Sequence, residues 1–500
     1  MSSVIHGALV IAVVLAAFGA TDARAGTFGV PVPYPTIQAG IRAASTGDTV
    51  LVADGTYTGA GNRNIDFEGK DVVLRSASGA AATVIDCNAA GRAFYLYRGE
   101  TNAAVIEGFT IQRGLAGVSQ YGGGIYCRDS SPTIRDCVIR LCTVPGTYEG
   151  DGGGICLFNS TGRIERCTIS ANNAVYGGGV AFRGTTAPTI TGCAITWNRA
   201  AGGAGIDAGG IGAPRILDCT ISANTSTGGS GGGGLFLGGT PLVSNCTITG
   251  NLAGMGGGIS CWNGVPVIQG CTVSGNFAQT DKGGGLVALM SSQPSLDRTI
   301  LWQNCAATFG DEIAAEDQSV VSLACCIVHR AGVAEDGGIV HYTANDIDAD
   351  PRFCSNAPCG AAPTIAGTYT VDRYSPAPPD QNPCGSWIGS RHVIGCPAAD
   401  VAGIPPAHTP LLDAVSPNPV SDRLSCAIRL SRPAHTVLRV ISVTGRAVGP
   451  VLERDLPAGR SVVSIRLGDR LRGGGLSSGT YFLRLETDGR TESRPIVLVR

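Results

Sequence analysis

The chain has 500 residues, a formal net charge of −2 and 74 glycines, about twice the average share of ~7%. A charge so close to zero excludes a global field that would recruit nucleic acid or an acidic membrane surface. The length allows several domains, or one long repeat domain with appendages.

An apolar run from Ala8 to Phe18 is followed by the small-x-small pattern Ala23-Arg24-Ala25. The run is too short to span a bilayer comfortably. Residues 1–25 therefore read as a secretory signal peptide, and the chain as exported, either secreted or at the cell surface. No later stretch predicts a transmembrane segment. Nineteen cysteines in an exported chain would ordinarily predict disulfides, but the spacing of most of them argues otherwise.

Aligning the chain on C-x-[IV]-x-x-N gives Cys167…Asn172, Cys193…Asn198, Cys219…Asn224, Cys246…Asn251 and Cys271…Asn276, with cysteine steps of 26, 26, 27 and 25. Cys137 precedes the series by 30, with Cys142 in the asparagine place; Arg298 follows by 27 and Cys325 by another 27. Glycine runs at 122–124, 152–154, 177–179, 231–234, 256–258 and 283–285 keep pace. Such a period is too short for paired helices, and the segments are too β-branched and glycine-rich for helix. The pattern predicts an all-β solenoid, one coil per ~26 residues, whose stacked parallel strands lie about 4.8 Å apart. In CTIS, residues i and i+2 share a face, so the cysteines and isoleucines form buried ladders. The asparagine amide bonds the turns above and below it, and the glycines supply positive φ and close approach.

These coils resemble the right-handed parallel β-helix of the pectin-lyase-like superfamily, over roughly residues 33–350. Tyr34-Pro35-Thr36-Ile37-Gln38-Ala39, Gly47-Asp48-Thr49-Val50 and Ala53-Asp54-Gly55-Thr56-Tyr57 match the family's entry. The resemblance implies a short amphipathic helix, carrying Ile37 and Ile41, that caps the solenoid before its first strand. It places the β-helix at 33–345 and an irregular closing segment at 346–397, where Cys354, Cys359, Cys384 and Cys396 read as disulfide-forming with unreadable connectivity.

A linker follows at 398–410. Residues 411–500 carry alternating apolar runs, VLRVISV, SVVSIRL, GTYFLRLE and PIVLVR, which predict a small antiparallel sandwich. With Pro417-Asn418-Pro419, Thr444-Gly445-Arg446 and Ser478-Gly479-Thr480-Tyr481-Phe482, it resembles the sorting domains of type IX secretion and the Ig-like domain of flagellar hook-capping proteins. The resemblance implies surface attachment, or sorting through secretion machinery.

The chemistry is sparse. The glycine runs lack the Gly-Lys-[Ser/Thr] of a phosphate loop. Cys325-Cys326-Ile327-Val328-His329 has no second pair at zinc spacing. Asp346, Asp348 and Asp350 could share a calcium, though the glycine and distal Glu of the calcium loop are missing; no other cofactor is implied. Asp136 and Asp218 precede ladder cysteines three coils apart, too far for a catalytic pair. Loop residues Arg128, Asp129, Glu149 and Asp151 could converge. Trp197 and Trp302 read as sharing a column four coils apart. The outward face of the CTIS strands presents Thr168/Ser170, Ala194/Thr196, Thr220/Ser222, Thr247/Thr249 and Thr272/Ser274, a hydroxyl array suited to a periodic glycan. The sequence therefore points to a binding or adhesion module for an extracellular polysaccharide or cell-envelope component. The alternative is a polysaccharide lyase or glycoside hydrolase.

Overall fold

A computed structural model describes residues 25–390 except 186 and 230, together with 394, 396, 412, 420 and the strands between 423 and 498. The predicted signal peptide up to Arg24, the linker 398–410 and the Pro417-Asn418-Pro419 and Thr444-Gly445-Arg446 motifs lie outside the described residues. The chain divides into two units, Met1–Gly395 and Cys396–Arg500.

Three long parallel sheets build the first unit. Sheet A has 13 strands, from Thr27–Val30 to Ile339–His341; sheet B has 11, from Gly55–Tyr57 to Ile327–Val328; sheet C has 10, from Phe94–Leu96 to Val333–Asp336. One coil shows how the sequence closes the circuit. Arg163–Glu165 lies in sheet A and Thr168–Ser170 in sheet B, with Arg166 at φ 50° between them. Ala171, at φ 55°, makes the next corner, and Val180–Arg183 joins sheet C after the glycine run.

A single left-handed residue thus turns the chain from A to B in eight successive coils: Asp136, Arg166, Gly192, Asp218, Asn245, Gly270, Arg298 and Cys325, all at φ between 46° and 63°. That conformation suits Gly, Asn and Asp best, which is why those residues fill most of the column. The column also corrects the repeat alignment. Arg298 and Cys325 are corner residues, so the ladder positions of the last two coils are Thr299 and Cys326. Thr299 Oγ1 donates to Ile268 O (3.4 Å) and Cys326 Sγ to Leu296 O (3.5 Å), as Cys167 Sγ donates to Ile134 O (3.7 Å). The one-residue slip separates the tryptophans too. Trp302 pairs across from Ser274 inside a strand, whereas Trp197 is a left-handed corner residue at φ 59°.

Two ladders run inside the solenoid. Cys167, Cys193, Cys219, Cys246 and Cys271 are buried thiols. Burial pushes the Cys246 thiol well above its ordinary value and those of Cys142 and Cys326 up to about 12, so they behave as small hydrophobes. The asparagines Asn172, Asn198, Asn224, Asn251 and Asn276 continue to Asn304. Asn198 is representative. Its Oδ1 accepts from Asn172 N and Nδ2, both at 3.0 Å; its Nδ2 donates to Ile169 O (2.9 Å) and Asn224 Oδ1 (3.0 Å). All four hydrogen-bonding capacities of the amide are used. Gly179 lies against this column: a Cβ there would sit 2.5 Å from Gly205 O and 3.0 Å from Asn198 Nδ2.

The N-terminal helix forms at Ile37–Ala43, with Thr36 Oγ1 accepting from Ala39 N (3.2 Å) and Ile37 and Ile41 fully buried. One strand, Thr27–Val30, precedes it and pairs with Thr49–Val52, so the helix enters after the first strand rather than before it.

The closing segment is not irregular throughout: Phe353–Asn356 pairs antiparallel with Gly367–Val371. It folds back over the outer face of sheet B. Ile300, Ile327, Val371, Ala377 and Ile388 form a buried cluster there, with Trp302 and Trp387 against it. Its disulfides reach into the solenoid, Cys359 to Cys305 and Cys384 to Cys325, with Cα atoms 5.7 and 5.9 Å apart. Cys354 is disulfide-bonded as well.

In the second unit, Arg423–Leu430 pairs antiparallel with Gly459–Arg466, and Ala434–Ser442 lies between Ala447–Leu456 and Gly479–Thr487, with Arg490–Leu498 outermost. Alternate residues of both sheets, among them Ile428, Leu438, Val463 and Leu485, share one buried cluster.

Candidate binding groove

Sheet C alternates like the other two. Ile155/Leu157, Val180/Phe182, Ile206/Ala208 and Leu235/Leu237 point into the core. Their neighbours therefore point outward, in two columns: registered pairing stacks the first from Tyr126 to Ser260 and the second from Arg128 to Arg183, and the second continues along the same strands past a register shift after Leu237. The columns read Tyr126, Cys156, Ala181, Asp207, Phe236, Ser260 and Arg128, Phe158, Arg183, Gly209, Gly238, Trp262. Unlike the mostly hydroxyl-bearing stretch of sheet B from Thr168 to Ser274, this face changes character from coil to coil.

Beside it, the residues preceding each glycine run stack through isolated bridges from Tyr121 to Asp151, Tyr176 and Gly202. They form a wall, and the outward face of sheet C forms the floor. Between them lies a groove of about 380 Å³, lined by Tyr121, Tyr148, Tyr176, Phe236 and Trp262 with Glu149, Asp151, Arg183 and Asp207. Its size is that of a small-ligand site.

A carboxylate–guanidinium–carboxylate bridge sits at its centre. Arg183 Nε and Nη2 donate to Asp151 Oδ2 (2.9 Å) and Oδ1 (3.0 Å), while Nη1 donates to Asp207 Oδ1 (2.7 Å) and Phe182 O (3.0 Å). The guanidinium stands 5.9 Å from the Tyr176 ring centroid. Burial pushes the Asp151 carboxyl above its usual range, opposed by Arg183 and reinforced by Asp207 and Glu149. Aromatic stacking extends the floor at the N-terminal end, where the Tyr95 and Tyr126 rings lie 5.2 Å apart and Tyr121 and Tyr126 5.5 Å. Phe236 and Trp262, 6.4 Å apart, form the other end.

Of the loop charges singled out in the sequence, Glu149 and Asp151 reach this groove. Arg128 and Asp129 pair with each other instead, at 3.7 Å. Asp136 is held by Arg166 of the next coil at 2.7 Å. Asp346 does not open toward a cation: Oδ1 accepts from Cys326 N (2.7 Å) and Oδ2 from Thr343 N (2.5 Å) and Oγ1 (2.9 Å), which terminates the thiol ladder. Asp348 and Asp350 accept separately, from Arg330 N and Arg352 N. Among the described residues no group of three or more His, Cys, Asp or Glu is placed to hold a metal.

The hydroxyl array needs a correction. Thr168 is exposed, and Ser170, Ala194, Thr196 and Thr220 are half-buried. Ser222, Thr247, Thr249, Thr272 and Ser274 are buried. The closing segment covers this end: Thr247 Oγ1 lies 2.8 Å from Ser390 Oγ, and Ser390 N donates to Thr272 Oγ1 (3.0 Å). Sheet B is thus open at its N-terminal coils only.

Arg183, Asp207, Tyr176, Phe236 and Trp262 escaped the sequence reading, because that reading weighed recurrence. Their signal was the reverse: large or charged residues flanking the glycine runs, Tyr176 just before one and the others on the strands after them, where neighbouring coils carry something else.

A family model described as "Right handed beta helix region" matches residues 153–260, a span that includes Tyr176, Arg183, Asp207 and Phe236 of the groove. The solenoid is a right-handed parallel β-helix. No curated protein matches the chain in sequence. Among solved structures, the β-helix is similar to pectate lyase Pel9A at 11% identity and a TM-score of 0.41, over 71% of this chain and 90% of that one. It is also similar to the enzymatically active domain of bacteriophage CBA120 tailspike protein 4, at 12% identity and a TM-score of 0.32, over 90% of this chain and 63% of that one. Among the described residues no helix is long and apolar enough to cross a membrane.

Proposed function

We propose that the protein is an exported β-helix that binds an extracellular polysaccharide or cell-envelope glycan in the groove over sheet C. It acts as a binding or adhesion module, with residues 411–500 as its sorting or attachment unit. The observation that carries this reading is the groove's lining, in which aromatic faces and fixed carboxylates stand side by side. Sugar rings offer apolar C–H faces that pack on aromatic rings and hydroxyls that donate to carboxylates. The remaining hydroxyl face of sheet B is the weaker candidate, since half of it lies under the closing segment.

A second reading, cleavage of the bound glycan, is favoured by Asp151. A buried carboxyl that holds its proton above the usual range can serve as a general acid, and Asp207 or Glu149 could be its partner. Against it, Arg183 occupies both oxygens of Asp151 and one of Asp207.

A glycan array run beside a degradation screen tests both. Binding lost in Trp262→Ala, with no new chain ends, is the result expected. Reducing or unsaturated ends that vanish in Asp151→Asn would establish cleavage.

A further inference from the structure

We propose that the groove selects glycans that carry no carboxylate or sulfate. The inference rests on the reading of the groove as a glycan site and names the ligand's charge class. Among the described residues that line the groove, Arg183 is the one cation, against Glu149, Asp151 and Asp207.

Arg183 is largely committed before a ligand anion arrives, with four of its five N–H donors taken. Its Nε, Nη1 and Nη2 donate to Asp151 Oδ2, Asp207 Oδ1, Phe182 O and Asp151 Oδ1. Its side chain is 18% exposed, and those of Asp151 and Asp207 are 10% and 4% exposed, so the bridge is fixed and largely dry. Both ends of the guanidinium are neutralised before any ligand arrives. Glu149, exposed at the rim, adds a charge with no such partner in the lining.

An acidic sugar would bring a charge into a space whose net field is negative, where like charges repel and lose hydration. A neutral sugar meets the complementary chemistry. Its hydroxyls donate to Glu149 and to the outer lone pairs of the aspartates, and its ring faces Phe236, Trp262 and the tyrosines.

The test uses the full chain on an array of neutral, uronate-bearing and sulfated glycans, followed by one matched pair. In the pair, the best-retained neutral oligosaccharide is compared with its C6-oxidised form, which has the same backbone with carboxylates added. The retained glycans should lack carboxylate and sulfate, and the oxidised form should bind roughly ten-fold more weakly or worse. That gap should narrow in Glu149→Gln and in high salt. An acidic glycan bound as tightly as its neutral partner, with binding lost in Trp262→Ala, overturns the charge selection and leaves the groove standing. Retention of no glycan, or retention that survives Trp262→Ala, overturns the groove reading and this inference with it.

Discussion

Asn304 ends the asparagine ladder on the carboxylate of Glu312, donating from Nδ2 to Oε2 at 2.5 Å and from its backbone N to Oε1 at 3.3 Å. Six stacked amides thus close on one fully buried acid. Burial pushes the Glu312 carboxyl up to about 8, against the hydrogen bonds from Asn304. A carboxyl raised above the 4.5 of its free form contributes full stability below about pH 4.5, and that contribution is lost as pH rises toward about 8. The loss is on the order of a few kcal/mol. Melting curves of the wild type and Glu312→Gln should therefore diverge between those two pH values, with the wild type weakening relative to the variant. Parallel curves would remove Glu312 as the titrating group.

The asparagines outweigh the cysteines in stability. Asn224→Ala strips the acceptor from Asn198 N and Nδ2 and the donor from Ile195 O, all buried. Unsatisfied buried groups of this kind put the cost at about 3 kcal/mol. Cys219→Ala removes one sulfur from an apolar column and should cost about 1 kcal/mol. Denaturant unfolding of the two variants should rank them in that order; the reverse ranking would mean that the thiol ladder holds the coils.

Much of this was legible in the sequence. The period, the buried Cys–Ile face and the asparagine clamp all follow from letters that repeat, because stacking equivalent positions imposes the same demand on every coil; the capping helix comes from the resemblance of the entry segment. Two things were not. The corner column ends in Arg298 and Cys325, which resemble ladder letters in spacing but carry positive φ, and a one-residue slip exchanges inside for outside. The groove escaped because Asp151 and Arg183 lie 32 residues apart and meet only when the wall of one coil leans over the floor of the next.

The cover over sheet B depends on its tethers. Cys325–Cys384 closes 59 residues of separation and Cys305–Cys359 closes 54, loops for which a disulfide stabilises by about 2–4 kcal/mol. Cys384→Ser should loosen residues 353–390, and limited proteolysis should cut there faster than in the wild type while the coils stay intact. Equal cutting rates would show that the cluster around Ile300 and Ile388 holds the cover unaided.

Lysine scanning of sheet B should divide at the cover. Thr220 is half-buried with room at the surface, so Thr220→Lys should change stability by less than about 1 kcal/mol. Thr247 lies under Ser390, and Thr247→Lys buries a charge beneath the closing segment, at a cost of about 3 kcal/mol or more. Equal melting temperatures for the two would place the closing segment off the sheet.

The central claim is that the variable face of sheet C takes the glycan. Titration of the best array ligand into the wild type, Trp262→Ala and Thr168→Lys tests it directly. Trp262→Ala should weaken binding by about ten-fold or more, the usual effect of losing a buried aromatic anchor, while Thr168→Lys leaves it unchanged. Binding that is lost in Thr168→Lys and intact in Trp262→Ala would contradict the account and return the site to the hydroxyl face of sheet B.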